Sequence, residues 1–288
     1  MCTSTYQQQV PMNRPTTIQT SDGKNVIVTL LDANHCPGAV MFLFELSNKR
    51  KILHVGDFRW DRIKMLKSLQ DFESLKYRLD DLYLDTTYCD EKYTLLPSQD
   101  EVIHATIDAI ERLLFDDKNN PLFLFGSYSI GKERIYLAVA KHLGKKIFVD
   151  KRRYKMLSLL NLPKNDLNIL TTNQKETNLW VVPLGYIKFE KLKEYEETNS
   201  IRYNMIVGVR PTGWAFDSSS KKQQDDVISI RKNKNISIFN VPYSEHSSFA
   251  EIVDCLKCLK PRKIIPTVNV RKSQEQIDLL LNAVNERR

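Results

Sequence analysis

Four residues in this 288-residue chain have side chains suited to chemistry and each follows a short hydrophobic run: His35 and Asp57 sit in LLDANHCPG and ILHVGDFRW, Asp85 in LYLDTTY, and His246 in VPYSEHSS. Imidazole and carboxylate at strand ends suit a divalent metal site such as zinc. Gly38 and Gly56 stand beside the first two and permit tight turns there. Four such groups in an α/β pattern are expected to converge on one edge of a sheet, where sites of open α/β folds lie. The remaining histidines, His54, His104 and His142, are assigned to ordinary hydrogen-bonding roles.

A second stretch raises the question of phosphate. The run PLFLF leads into Gly126-Ser-Tyr-Ser-Ile-Gly131-Lys132, which is followed by apolar residues at helical spacing. The pattern is one residue short of a nucleotide-binding P-loop: Glu133 stands where Ser or Thr would hold magnesium, and a carboxylate beside triphosphate is repulsive. Backbone amides at a helix N-terminus, a hydroxyl and an ammonium can all donate to phosphate oxygens. Whether the loop holds phosphate for a purpose other than nucleotide hydrolysis is the question it raises.

These residues need elements to carry them. Val26 to Leu31, Val40 to Leu46, Lys51 to Val55 and Leu82 to Asp85 read as strands, separated by turn residues. Ser98 with Glu101 reads as a capping box opening a helix to Leu114. PLFLF, a helix Lys132 to Leu143 and a strand Lys146 to Val149 read as a right-handed βαβ unit. A more irregular stretch follows, with a strand at Asn204 to Val209 and a solvated run at Ser218 to Asp226. It gives way to Ile236 to Val241, the loop 242 to 248, a helix to Leu259 and a strand Lys263 to Pro266. Residues 1 to 20 read as a loose polar tail. The class is α/β.

Composition narrows the partners. A net charge of +8 favours a polyanion such as nucleic acid. No apolar run approaches the roughly 20 residues of a membrane span and the first residues lack the apolar stretch of a signal peptide. Five cysteines form an odd set, which points to a reducing compartment. The single pair Cys255 and Cys258 lies on a helical stripe with no second pair nearby, so it reads as core or surface thiols rather than a zinc knuckle.

In order along the chain, DANHCPGAV, HVGDFR, YLDTTY, SYSIGKE, RPTGW, PYSEHSS and IIPTVNV resemble the motifs of the β-CASP metallo-β-lactamase nucleases. The likeness is to the DNA cross-link repair branch that includes Artemis, Apollo and yeast Pso2, and within it to the 5′ exonuclease of interstrand cross-link repair. It covers residues 22 to 272. The resemblance implies a metallo-β-lactamase αββα sandwich formed by 21 to 94 with 236 to 288, and a β-CASP insertion at 95 to 235. It implies zinc ligands at His35 and Asp57, and an acid–histidine pair, Asp85 and His246, acting in proton transfer at the scissile phosphate. It also implies a pocket for a 5′-terminal phosphate at Ser129, Gly131 and Lys132. Arg210, Thr212 and Ser247 stand as further phosphate or backbone contacts, with ordinary structural roles equally open. Val268 and Val270 in the last motif imply a weak second metal site. The substrate would be DNA, single- or double-stranded with a 5′ phosphate, the location the nucleus, and no membrane partner is implied.

One family feature is missing. In that family a His-x-His-x-Asp-His cluster supplies further zinc ligands, yet no two of the five histidines here are spaced by one residue. The expectation is an N-terminally incomplete fold in which two remaining ligands bind metal weakly and which is inactive by itself. Two other functions stay in view: a catalytically inactive DNA-binding relative, and β-lactamase-like hydrolysis of small amides or esters.

Overall fold

In the computed structural model, residues 9–70, 79–160, 162–213 and 227–286 are described. In chain order the elements are β1 (Thr16–Gln19), β2 (Asn25–Asp32), β3 (Val40–Glu45), β4 (Lys51–His54), α1 (Arg62–Gln70), β5 (Asp81–Leu84), α2 (Gln99–Leu114), β6 (Pro121–Ser127), α3 (Glu133–His142), β7 (Ile147–Phe148), α4 (Lys151–Leu159), α5 (Lys164–Asn168), β8 (Leu170–Thr171), β9 (Leu179–Pro183), α6 (Phe189–Asn199), β10 (Met205–Pro211), β11 (Ser229–Asn233), β12 (Ile236–Val241), α7 (Phe249–Leu259), β13 (Lys263–Pro266) and α8 (Ser273–Glu286). The α/β class read from the sequence is the class observed.

The chain divides into two units, Met1–Thr94 with His246–Arg288, and Leu95–Glu245. The first holds a six-stranded sheet ordered β1-β2-β3-β4-β5-β13. The first four strands pair antiparallel, and β4, β5 and β13 pair parallel. Alternation along these strands buries Met41, Leu43, Leu53, Leu82 and Leu84 on one face. The other face shows Phe42, paired with His54, which in turn pairs with Tyr83, all only partly covered. Because β2, β4 and β5 all end toward the loops that follow them, His35, Asp57 and Asp85 emerge together.

The second unit holds a seven-stranded sheet ordered β11-β12-β10-β6-β9-β7-β8, parallel except for the β11–β12 pair. β6, β9 and β10 are near-continuous apolar runs buried on both faces, as central parallel strands are. α2 begins at the expected capping box, with Ser98 and Glu101 satisfying each other's backbone amides.

Three expectations need correction. Thr16–Gln19, read as part of a loose tail, forms the edge strand β1 paired with β2, because Thr16, Thr17 and Ile18 are β-branched and suit an extended edge. The boundary expected at 235/236 falls at 245/246: β12, read as part of the first unit, lies between β10 and β11 in the second sheet. β6, α3 and β7 do run as strand, helix and parallel strand, but β9 is inserted between β6 and β7. The expected run Ser218 to Asp226, Trp214 and residues 1–8 lie outside the described residues.

Gly208 shows how tightly the second sheet packs. A Cβ there would stand 2.9 Å from both Ile187 Cγ2 and Leu192 Cδ1. Gly208→Ala is expected to lower stability by about 1–3 kcal/mol through overpacking, read in denaturant titration; an unchanged midpoint would show that the two side chains yield freely.

Candidate metal centre

Within the first unit, His35, Asp57 and His246 each offer a ligand atom, and these atoms lie within 4.8 Å of one another. His35 Nε2 is 4.0 Å from Asp57 Oδ2. The His35 and His246 rings meet edge to face with centroids 4.7 Å apart. Asp57 is exposed and both histidines are half-buried, so the group opens to solvent. The sequence expectation of two ligands thus becomes three donors, the number of protein ligands in a catalytic zinc site that keeps a position for water.

Asp85 fixes the third donor. It is 1% exposed, and its Oδ2 lies 2.7 Å from His246 Nδ1 and accepts the Phe58 N–H at 3.3 Å. Its Oδ1 accepts the Thr87 N–H and hydroxyl at 3.0 and 2.7 Å. Burial alone would raise the carboxyl's pKa, but the hydrogen bond and charge of His246, joined by Thr87, outweigh it and hold the group below its ordinary value of 3.8. Asp85 is therefore an anion near neutrality and can only accept. His246 must donate from Nδ1, so in its neutral form Nε2 carries the lone pair that a metal ligand requires.

The segment Phe58 to Trp60 holds the loops in register. The Arg59 N–H donates to the Ala33 carbonyl at 3.0 Å, and the Asn34 side-chain amide donates to the Arg59 carbonyl at 3.0 Å, tying this segment to the His35 loop. Asn34 takes a positive φ of 51°, a conformation that Asn tolerates better than most residues. On the other side, the Ser247 N–H and hydroxyl donate to the Phe58 carbonyl at 3.0 and 3.1 Å, while the Trp60 N–H donates to Ser247 Oγ at 2.9 Å. Trp60 Nε1 donates to Asp254 Oδ2 at 2.9 Å.

Of the roles left open for Ser247, the structure shows the structural one: it is 2% exposed and its hydroxyl bonds Phe58 and Trp60. The last motif lies beside Asp85, since Thr86 Oγ donates to the Val268 carbonyl at 2.9 Å and Thr267 Oγ to the Leu84 carbonyl at 3.0 Å.

The phosphate loop, in the second unit, is also corrected. The Gly131 N–H donates to both oxygens of Glu133 at 2.8 and 2.9 Å. The Lys132 N–H donates to Glu245 Oε1 at 2.7 Å, and Lys132 Nζ pairs with Glu245 Oε2 at 3.1 Å, with both side chains 8% exposed. The Gly131 and Lys132 donors assigned to phosphate are engaged by the chain's own carboxylates. Gly131 has φ 106°, and a Cβ there would stand 2.9 Å from Glu245 Oε2, so glycine is required on both counts. Burial, reinforced by the charge of Glu245, raises the Glu133 pKa despite the Gly131 hydrogen bonds and Arg153. Ser129 and Arg210 are exposed, while the Thr212 N–H is given to the Val241 carbonyl. Buried Arg153, which sequence reading missed, donates from Nη1 to Ser127 Oγ and to the Tyr128 carbonyl at 3.2 and 2.6 Å.

The other sites behave as ordinary structure. His54 stacks on Tyr83 and its Nδ1 accepts the Gly56 N–H at 3.1 Å; His142 Nε2 lies 2.7 Å from Glu111. Cys255 is buried and burial pushes its thiol well up, as suits a core residue. A cleft of about 740 Å³ at the other end of the first sheet carries Lys49, Arg50 and Arg262. Its arginines are paired with Asp81 and Asp80, and it lies away from the donor cluster.

This mixed α/β chain has the fold of a metallo-β-lactamase, and it carries a three-donor cluster at its strand ends. A family profile described as "DNA repair metallo-beta-lactamase" matches residues 164–272. The chain is 44% identical to the human "DNA cross-link repair 1A protein" over 246 residues, 85% of this chain and 23% of that protein. It is 40% identical to the Arabidopsis thaliana "DNA cross-link repair protein SNM1" over 84% of this chain and 48% of that one, and 32% identical to the Schizosaccharomyces pombe "DNA cross-link repair protein pso2/snm1" over 96% and 52%. The chain therefore spans from a quarter to half of these relatives. A crystal structure of a protein of unknown function from Enterococcus faecalis shares the fold, with TM-score 0.55 and 13% identity over 94% of this chain and 64% of that one. The chain belongs to the β-CASP metallo-β-lactamase family of DNA cross-link repair.

Two outcomes follow from the bonds at the centre. Ser247→Ala leaves the buried Trp60 N–H without its acceptor and is expected to cost about 1–3 kcal/mol, read in chemical denaturation. For Asp85, a folded pKa below the unfolded one means that its contribution is full above the ordinary value of 3.8 and is lost as pH falls through the lower folded value. The stability gap between wild type and Asp85→Asn, measured by denaturation from pH 7 downward, should hold above pH 3.8 and close below it; a gap independent of pH would contradict the anion.

Proposed function

We propose that the centre serves metal-dependent hydrolysis of DNA phosphodiesters, 5′ to 3′ from a 5′-phosphate end, in the nuclear repair of interstrand cross-links. The observation that carries the reading is the convergence of His35, Asp57 and His246 within 4.8 Å, with His246 oriented by an anionic Asp85. Family membership and the net charge of +8 support DNA as the substrate.

The donor set fits a zinc ion: two imidazoles and a carboxylate, accessible from solvent, with a carboxylate behind one imidazole to set its tautomer. Such an ion lowers the pKa of a bound water toward 7 and offsets the charge of the phosphoryl oxygens. His35, Asp57 and His246 Nε2 would hold it. Asp85 keeps His246 in the donor tautomer and fixes the ring's plane. In this reading His246 is a ligand first, because the lone pair on Nε2 must gain a proton before the ring can deliver one to a leaving oxygen.

Recognition of a terminal phosphate falls to exposed groups such as Ser129 and Arg210, since Gly131 and Lys132 serve Glu133 and Glu245. The second unit is assigned as the β-CASP insertion. With three donors and no His-x-His-x-Asp-His cluster, the chain by itself is expected to bind metal and DNA but to turn over slowly. The missing cluster also favours a second reading, a DNA-binding relative without catalysis.

The test combines zinc titration, DNA binding and digestion of 5′-phosphorylated DNA by the 288-residue chain. DNA affinity should fall steeply with salt, by roughly 10³-fold or more between 50 and 200 mM if six or more phosphates are contacted. His246→Ala should weaken zinc binding and abolish any cleavage. Cleavage lost with zinc affinity unchanged would make His246 a proton carrier instead. DNA binding indifferent to chelator, with no zinc bound, would favour the non-catalytic reading, and absence of DNA binding would overturn both.

A further inference from the structure

Arg59 stands two residues after Asp57, yet its guanidinium is removed from solvent: the residue is 2% exposed. Its Nε and Nη2 both donate to Glu251 Oε1, at 3.2 and 3.1 Å. The other oxygen of the same carboxylate, Glu251 Oε2, accepts the Ser248 N–H at 2.7 Å, and the Glu251 N–H donates back to Ser248 Oγ at 3.1 Å. Glu251 is thus the N3 residue of the capping box that opens α7 two residues after His246. One carboxylate grips both the segment that follows Asp57 and the turn that follows His246, all within the first unit.

A surface ion pair would bring little to such a site. A buried planar guanidinium that gives two N–H groups to one oxygen of a half-buried carboxylate has a fixed direction as well as a charge, and the backbone of Arg59 is itself bonded to Ala33 and Asn34, in the loop of His35. Moving Arg59 would therefore disturb all three donors at once. We propose that Arg59 and Glu251 are positioning residues that set the spacing of His35, Asp57 and His246, and so the affinity of the centre for its metal. The proposal rests on reading that cluster as a metal centre.

The two charges of the pair can be removed together. In Arg59→Met the Glu251 carboxylate loses its partner, so this variant confounds stability with position. In Arg59→Met/Glu251→Gln the capping box is kept, because Gln serves at N3 as Glu does, and both charges of the pair are removed together. Stability of the double variant should recover toward wild type while Zn²⁺ or Co²⁺ affinity stays at least tenfold weaker, the scale on which groups behind ligands act. Arg59→Lys, which keeps charge without the fork, should recover only part of the affinity. A double variant that binds metal as tightly as wild type would overturn the proposal and leave the pair a purely structural one.

A readout in metal-free protein separates this from the metal reading. Long-range ¹⁵N–¹H NMR of the His246 ring should show one Nδ1-protonated tautomer in wild type and an averaged ring in the double variant. If wild type binds no metal and the ring still averages in the variant, the positioning role stands and the metal reading falls. An unchanged ring overturns the positioning role whatever the metal does.

Discussion

The 2.7 Å contact between Asp85 and His246 is the constraint on which the centre depends. A carboxylate buried to 1% exposure is costly unless its oxygens are filled, and here the imidazole, one backbone amide from the 58–60 segment and both donors of Thr87 fill them. The same bonds that stabilise the anion choose the tautomer of His246. Stability and chemistry therefore meet in one interaction: the contact that helps hold Asp85 charged also makes His246 Nδ1 the donor.

Around that contact the first unit is organised by a three-residue hub. Phe58, Arg59 and Trp60 bond to Asp85, Ala33, Asn34, Ser247, Glu251 and Asp254, so that loops from β2, β4 and β5 and the turn before α7 are mutually fixed. Each donor sits on a loop, but none of the loops is independent. This is how strand ends, which alone give only approximate proximity, bring the three donor atoms within 4.8 Å of one another.

The strands and the site were legible to different degrees. β-branched runs, turn residues and the Ser98–Glu101 pair marked most elements within a residue or two, because those signals are local. The identities of His35, Asp57, Asp85 and His246 were legible too, since each ends a hydrophobic run. The function of the Gly126–Lys132 loop was not, because the anion that satisfies it is Glu245, 113 positions away, and an amide-rich turn looks the same whether phosphate or carboxylate fills it. Arg59 and Glu251 were invisible for the same reason, at a separation of 192. β12 was misplaced because a buried apolar strand does not announce which sheet it joins. The two roles open for Ser247 could not be told apart in sequence, because a serine beside a histidine resembles a substrate contact until its hydroxyl is seen to close a loop.

The most direct test of the three-donor centre is an anomalous-scattering map of crystals of this chain grown with Zn²⁺. A peak is expected about 2.0–2.2 Å from ring nitrogens of His35 and His246 and from a carboxylate oxygen of Asp57, with His246 Nδ1 still on Asp85. No peak at that cluster, or a peak with His246 swung away and only two protein ligands, would contradict it.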